Sequence, residues 1–145
     1  MYVLLHNSAG LLLLQKRSAR KAVFPNTWDL TCAEHVQPGE SYEAAALRGL
    51  REELSIPPPP ALLRTLAPTR RTLRAVCART GARVLDNEFV PLYEGLYDGS
   101  SLVDAAEVSA VRWVNWQQLL AEVVADEGAF TPWLVETLRL LGRIA

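Results

Sequence analysis

The sequence is sparing with several features that would fix its class at once. Its 145 residues include only two cysteines, Cys32 and Cys77, which cannot build a disulfide framework. No apolar run reaches the roughly 18 residues that a membrane-crossing helix requires. The N-terminus shows no basic segment followed by an apolar one, the form of a secretory signal. A cytoplasmic protein with no membrane partner is therefore expected. Net charge is also small: 15 basic against 16 acidic side chains give −1 at pH 7. That balance does not suit a chain that coats nucleic acid. Lysine is scarce, with Lys16 and Lys21 against thirteen arginines, which a GC-rich genome explains as readily as function does. Repeats and low-complexity tails are absent. What is present is a 50% hydrophobic composition on a chain of ordinary domain length. Residues 1–145 are read as a single domain with its own core.

The chemistry concentrates between Ala33 and Ile56, AEHVQPGESYEAAALRGLREELSI. Ser41 is a good N-cap for a helix opening at Tyr42, with Glu40 and Glu43 supplying negative charge near its positive end. Leu47, Leu50 and Leu54 recur at helical spacing and form an apolar stripe, with Gly49, Glu52 and Glu53 expected on the other side. Two neighbouring carboxylates repel each other, which is relieved by a raised pKa or by a cation. A hard ion such as Mg²⁺ or Mn²⁺ suits such oxygen donors. Arg48, four residues before Glu52, can hold that carboxylate in place. Most Glu-Glu pairs on helices are simply solvated charge; the loop before this helix is what sets this pair apart.

That stretch resembles the signature of the Nudix hydrolases, G-x5-E-x7-R-E-U-x-E-E-x-G-U with U a bulky aliphatic. Laid on residues 34–56, it matches at Glu40, Arg48, Leu50, Glu52, Glu53 and Ile56. PGES at 38–41 resembles the family's loop-to-helix junction, and flanking segments such as FPNTWDL and NEFVPLYEGLYDG agree. Three positions depart: Glu34 and Ser55 replace glycines, and Gly49 replaces the Glu that follows the signature Arg. In many members that Glu binds metal and is a candidate base. Glu34 is a candidate to supply part of what Gly49 lacks.

The chain is also similar to the isopentenyl-diphosphate isomerase branch of this superfamily, which lacks a Glu at the Gly49 position too. FPNTWDLTCAEH resembles the branch's loop, and His35 falls on a metal-binding His. Asp86-Asn87-Glu88 resembles its acid-Asn-Glu strand, which carries metal-binding and catalytic carboxylates. Its catalytic Cys, however, falls on Ala33. Cys32 is one place off, and a shift of one residue in an extended segment turns a side chain to the other face. The branch's additional N-terminal metal histidines have no counterpart. Isomerase activity therefore ranks third among the readings.

Elsewhere, Met1–Leu5 and Leu11–Gln15 read as strands around an Asn7–Gly10 turn. Lys16, Arg17, Arg20 and Lys21 then form a basic knot. Fixed cations suit a diphosphate, and Arg grips phosphate oxygens in pairs. Arg17 and Lys21 resemble the diphosphate-binding positions of the isomerase branch; a solvated loop is the competing reading. Trp28 is read as core, and Asp29 to His35 as a strand and loop leading into the box. Pro57–Pro60 ends the helix as a stiff connector. Strands are expected at 61–66 and 72–78, inside a run from Leu54 to Leu85 that has no acidic residue but six arginines. Among these Arg70 and Arg71 are candidates for substrate, set against a merely basic surface. The run lacks interleaved aromatics, which argues against nucleic acid. Val84–Gly95 reads as a strand with Asp86 and Glu88 on one face. Glu88, flanked by apolar residues, needs a partner if buried and is a candidate metal ligand or general base. A strand at 107–114, a helix at 116–125 and a final helix capped by Thr131-Pro132 complete the order.

Interleaved strands and helices imply α/β architecture with helices on both sides of a mixed sheet, and the resemblance implies the Nudix α/β/α sandwich. The expected activity is metal-dependent hydrolysis of a diphosphate linkage in a nucleoside diphosphate or related compound, with Mg²⁺ or Mn²⁺ as cofactor and a possible homodimer. The expected catalytic residues are Glu52, Glu53, Arg48 and Glu88. The expected metal ligands are Glu52, Glu53, Glu34, Glu88 and His35; Arg17, Lys21, Arg70 and Arg71 are expected to meet the substrate. A fold that binds diphosphates without turnover, because of Gly49, is the alternative.

Overall fold

The computed structural model describes residues 1–58 and 62–145, with the backbone alone for 62–66. The end of the expected proline connector, Pro59 and Pro60, lies outside the described residues, as do Ala61 and the side chain of Arg64. Seven strands form one sheet: β1 (Tyr2–His6), β2 (Leu12–Arg17), β3 (Trp28–Asp29), β4 (Cys32–Ala33), β5 (Leu62–Val76), β6 (Arg83–Leu96) and β7 (Val108–Val114). The helices are α1 (Tyr42–Leu54), α2 (Trp116–Ala125) and α3 (Pro132–Leu140).

Alternation along β1 builds both faces of the sheet. Tyr2 and Leu4 join a core under α2 and α3, which contribute Leu119, Val123, Leu134 and Leu138. Met1, Val3 and Leu5 join a second core under α1, with Ala45, Ala46, Leu50 and Leu54. The period of two in the strand feeds two helical layers, and the result is an α/β/α sandwich around a mixed sheet.

Strand β1 runs parallel to β6, from Tyr2 opposite Leu92 to His6 opposite Leu96; the other pairings are antiparallel. It pairs with β2 only through Leu5 and His6. Beyond that point the two strands separate, β1 taking β4 as its neighbour and β2 taking β3. The start of β1 and the end of β2 therefore sit beside an opening, and the site lies there.

Three local expectations are corrected. The strands expected at 61–66 and 72–78 are one strand of 15 residues, whose pairing with β6 slips between Arg64 and Thr69. Register slips of this kind absorb extra residues without ending a strand. The segment from Asp29 to His35 makes two two-residue strands rather than one. In α1 the Leu47 side is not the main buried one: Ala45, Ala46, Gly49, Leu50, Glu53 and Leu54 are buried, and Glu52 is exposed. Glu53 follows Leu50 by three residues and so lies about 60° from it around the helix, on the sheet side.

The opening is braced by Asp29, which is fully buried. It accepts hydrogen bonds from Trp133 Nε1 (2.6 Å), Thr131 Oγ1 (2.9 Å) and the Leu30 amide (2.8 Å), and it faces Arg17 Nη1 at 3.2 Å. Thr131 Oγ1 in turn accepts from the Leu134 amide and caps α3. One carboxylate thus joins β2, β3 and the start of α3. Asp29→Ala is expected to cost about 3–5 kcal/mol, because it strands the buried Arg17 charge. Urea denaturation measures this, and a loss below about 1 kcal/mol would mean that the contacts are replaced by water.

Candidate active site

Arg48 joins α1 to the loop before it. Its Nε and Nη2 donate to the two oxygens of Glu40 (2.9 and 3.2 Å), and Nη1 donates to Glu34 Oε2 (2.8 Å) and Glu52 Oε2 (3.3 Å). Nη2 also donates to the His35 carbonyl (2.9 Å). All three nitrogens are used on the box itself, so Arg48 holds the loop in position. The Arg48 hydrogen bonds, followed by the Gln37 amide, hold the Glu40 carboxyl below its ordinary value.

Under this clamp the loop touches the helix at Gly49. A Cβ at that position would lie 2.5 Å from Cys32 Sγ and 2.7 Å from Glu34 Cγ. The Glu34 stem and the Cys32 thiol occupy the space in which a side chain at 49 would begin. The glycine on the helix and the Glu34 side chain on the loop are thus two sides of one packing arrangement.

Strand β4 then separates its two residues. Cys32 is fully buried in the core beneath α1, and burial pushes its thiol well above the ordinary value. Ala33 turns the other way and lines a cavity of about 310 Å³ at the opening of the sheet. The cavity is bounded by β1, β4, β5, β6 and α3.

At its edge His35, Asp86 and Glu88 each offer a ligand atom within 4.8 Å of the others, and His35 Nε2 is 3.1 Å from Asp86 Oδ2. The spacing of two along β6 puts both carboxylates on the cavity side. One imidazole and two carboxylates form a donor set suited to Mn²⁺ or Mg²⁺. Glu34 also lines the cavity, but its carboxylate is held by Arg48.

Glu52 and Glu53 do not converge with this group. Glu52 is exposed beside Arg48 and Arg51. Glu53 is buried, accepts from Gln15 Nε2 (3.0 Å) and lies 3.9 Å from Lys21 Nζ. Burial pushes its carboxyl up to about 7, against the opposing Gln15 hydrogen bond and Lys21 charge.

The cationic side chains divide. Arg17, Lys21 and Arg71 line the cavity. Lys21 is in a close ion pair with Glu107. Arg17 is engaged by Asp29 and by the carbonyls of Val23 and Phe24. Arg70, one residue from Arg71, is on the opposite, exposed face of β5.

The profile of the NUDIX domain matches residues 1–134. The chain belongs to the Nudix family. Among relatives, it is 40% identical over 138 residues to an isopentenyl-diphosphate Delta-isomerase of Nocardia farcinica, covering 95% of this chain and 75% of that protein. It is 38% identical over 138 residues to the isopentenyl-diphosphate Delta-isomerase of Mycolicibacterium vanbaalenii, covering 94% and 72%. The solved structure of DR0079 from Deinococcus radiodurans matches with a TM-score of 0.70 and 30% identity over 95% of this chain and 78% of that one. A MutT protein from Methanosarcina mazei shares the fold, with a TM-score of 0.61, 21% identity and coverage of 83% and 78%.

Within this Nudix fold, sequence reasoning did not single out Tyr2, Trp133 or Glu136, which line the cavity, or Glu107, which pairs with Lys21. Tyr2 and Trp133 carry no local signal beyond core aromatics. Glu136, lying between Val135 and Thr137 on an amphipathic helix, reads as solvated charge. Asp86 was legible through its spacing to Glu88.

The contact at Gly49 gives an unusual sign for a substitution. Gly→Ala inside a helix ordinarily gains about 0.5–1 kcal/mol. Here the overlap with Cys32 and Glu34 is expected to make Gly49→Ala destabilising by about 1–3 kcal/mol, read by denaturant melts; a gain in stability would refute the close approach.

Glu53 provides a second check. Burial raises its carboxyl in the fold to about 7, from an ordinary value of about 4.5. In metal-free protein the folded state therefore binds more protons over that range, and this contribution to stability is lost as pH rises through 7. Glu53→Gln is expected to flatten the pH–stability profile between about 4.5 and 7, followed by urea denaturation in EDTA. An unchanged slope would place the Glu53 carboxyl in solvent.

Proposed function

We propose that this Nudix protein hydrolyses a diphosphate linkage in a nucleoside diphosphate or related organic diphosphate, with Mg²⁺ or Mn²⁺ bound. One observation carries the reading: the His35–Asp86–Glu88 donor set opens onto the same cavity as Lys21, Arg17 and Arg71. A ligand whose phosphates meet Lys21 and the fixed charge of Arg17 has them beside the donor set. A cation held there supplies Lewis-acid polarisation of the phosphate and a lowered pKa for water.

The protein's own groups have definable parts. Lys21 offers a charge to the phosphate oxygens, in competition with Glu107. Arg17 is too committed to Asp29 and the 23–24 carbonyls to swing, and contributes a fixed positive potential. Glu88 is placed to act as ligand or as proton acceptor for the attacking water. Glu34, which lines the cavity, is proposed as an auxiliary metal contact in competition with Arg48, whereas Glu53 stays with Gln15 and Lys21 outside the donor set. The products are a phosphate monoester and a second phosphate-bearing fragment.

A second reading, isopentenyl-diphosphate isomerisation, is favoured by the names of the relatives that are 40% and 38% identical. Against it stands the methyl group of Ala33 on the cavity wall, where that branch is expected to carry its catalytic thiol, with Cys32 turned into the core. Hydrolysis needs only water at that wall. Retention of the fold as a diphosphate-binding module is the third reading, and it predicts ligand binding without turnover.

The test is phosphate or nucleotide release from a panel of nucleoside-diphosphate compounds, with isopentenyl diphosphate included, in Mg²⁺ or Mn²⁺ against EDTA. Metal-dependent hydrolysis is expected, with Glu88→Gln lowering kcat about 100-fold or more. Conversion of isopentenyl diphosphate to its allylic isomer without hydrolysis would establish the second reading. Binding without release of any product would leave the module.

A further inference from the structure

Two aromatic rings line the cavity, and a guanidinium already lies over each: Arg17 is 5.1 Å from the Trp133 ring centre and Arg71 is 5.0 Å from that of Tyr2. The two arginines differ in what they have left to offer. Arg17 is pinned by Asp29 and two carbonyls. Arg71 is only 5% exposed, yet of its three nitrogens only Nη2 makes an aligned hydrogen bond, donated to Thr137 Oγ1 at 3.2 Å. Nη1 lies 2.9 Å from Glu136 Oε2, an ion pair by distance that lacks hydrogen-bond alignment, and Nε has no partner.

Buried donors are almost always paired, and leaving them unpaired is costly. A buried guanidinium whose Nε has no partner and whose Nη1 is held only by an unaligned ion pair, lining a cavity, marks the place of an absent acceptor. Its position says which part of a ligand would supply it. Arg71 stands directly across the ladder from Glu88, so their side chains share the cavity face within about 5 Å. It is therefore next to the group that holds the metal, on the side formed by Tyr2, Trp133 and α3, away from Lys21.

We infer that Arg71 selects the organic part of the substrate, donating to a carbonyl, hydroxyl or phosphate oxygen adjoining the diphosphate, and that Glu136 holds the guanidinium until that group arrives. The inference rests on the cavity being a diphosphate site and adds to it the residue that makes the site prefer a polar organic part over an alkyl one. A hydrocarbon tail would lie against two guanidiniums and leave the Arg71 donors unpaired. A site built to hydrogen-bond its ligand rejects analogues that lack the acceptor far more strongly than an apolar pocket rejects a polar group. Glu136, with its side chain 49% exposed, is free to swing aside.

The experiment compares ADP with isopentenyl diphosphate, two probes that share a terminal diphosphate and differ in the organic part. Binding of each to the full chain in Mg²⁺ is followed by tryptophan fluorescence. The parent is expected to bind ADP at least about ten-fold more tightly. Arg71→Met is expected to weaken ADP binding by about ten-fold or more while changing isopentenyl diphosphate by less than about three-fold. An unchanged ratio in Arg71→Met, whether both probes weaken together or neither does, overturns the inference, as does a parent that prefers isopentenyl diphosphate. Failure of the parent to bind either probe would instead remove the diphosphate reading, and the inference with it. Should Arg71→Met not fold, Glu136→Gln decides: it keeps the arginine and removes its competitor. Tightening of ADP alone by about three-fold or more supports the selection, and an unchanged ratio overturns it.

Discussion

The close approach of the 32–34 loop to α1 at Gly49 is the constraint on which the rest of the site depends. Closing that gap requires a residue without a side chain on the helix, and the Arg48 bonds to Glu40, Glu34 and the His35 carbonyl keep it closed. From this follow the orientation of β4, with Cys32 inward and Ala33 toward the cavity, and the emergence of His35 beside Asp86. A side chain at 49 would push the loop outward and carry His35 with it. Glycine at this position is therefore a structural condition of the arrangement.

The second determinant is the separation of β1 from β2 after a two-residue contact. A sheet that stayed closed there would leave no cavity between Tyr2 and the end of β2. The opening is bridged by Asp29, whose bonds to Arg17, Trp133 and Thr131 let α3 reach across it. That same bridge fixes Trp133 and, three residues further on, Glu136. Packing and electrostatics meet in one buried carboxylate: it is part of the core scaffold and also the reason that Arg17 presents a fixed charge.

Much of this was legible in the sequence because it rests on spacing. The alternation of strands and helices along most of the chain, the one-face placement of Asp86 and Glu88 and the turning away of Cys32 follow from periods of 2 and 3.6, and the Ser41 and Thr131 caps from side chains suited to accept from the first helical amides. The burial of Glu53 was legible by the same arithmetic from Leu50, but the acidic pair reads as one polar face, and polarity was allowed to outweigh angle. That Arg70 and Arg71 face opposite ways follows from the strand period, but which of them faces the cavity depends on the register of β5 against β6, which slips twice; no local pattern announces such slips. The cavity's aromatic wall comes from residues at opposite ends of the chain, Tyr2 and Trp133, and only the tertiary fold brings them together.

Charge pairing explains why the His35 group stands out from the other acids. Arg48 is matched by Glu40 and Glu34, Arg17 by Asp29, Lys21 by Glu107 and Arg71 by Glu136. Among the described residues, Asp86 has only His35 as a potential counter-charge and Glu88 has no ion pair. Two carboxylates left this way repel each other and any incoming phosphate. A bare diphosphate would thus be excluded from the edge of a cavity whose walls otherwise suit it. A divalent cation held by His35, Asp86 and Glu88 would offset the carboxylate charge and so ease the approach of a phosphate. The carboxylate pair at this corner, with an exposed histidine as its ion-pair partner among the described residues, is the physical ground for proposing that a divalent cation completes the site.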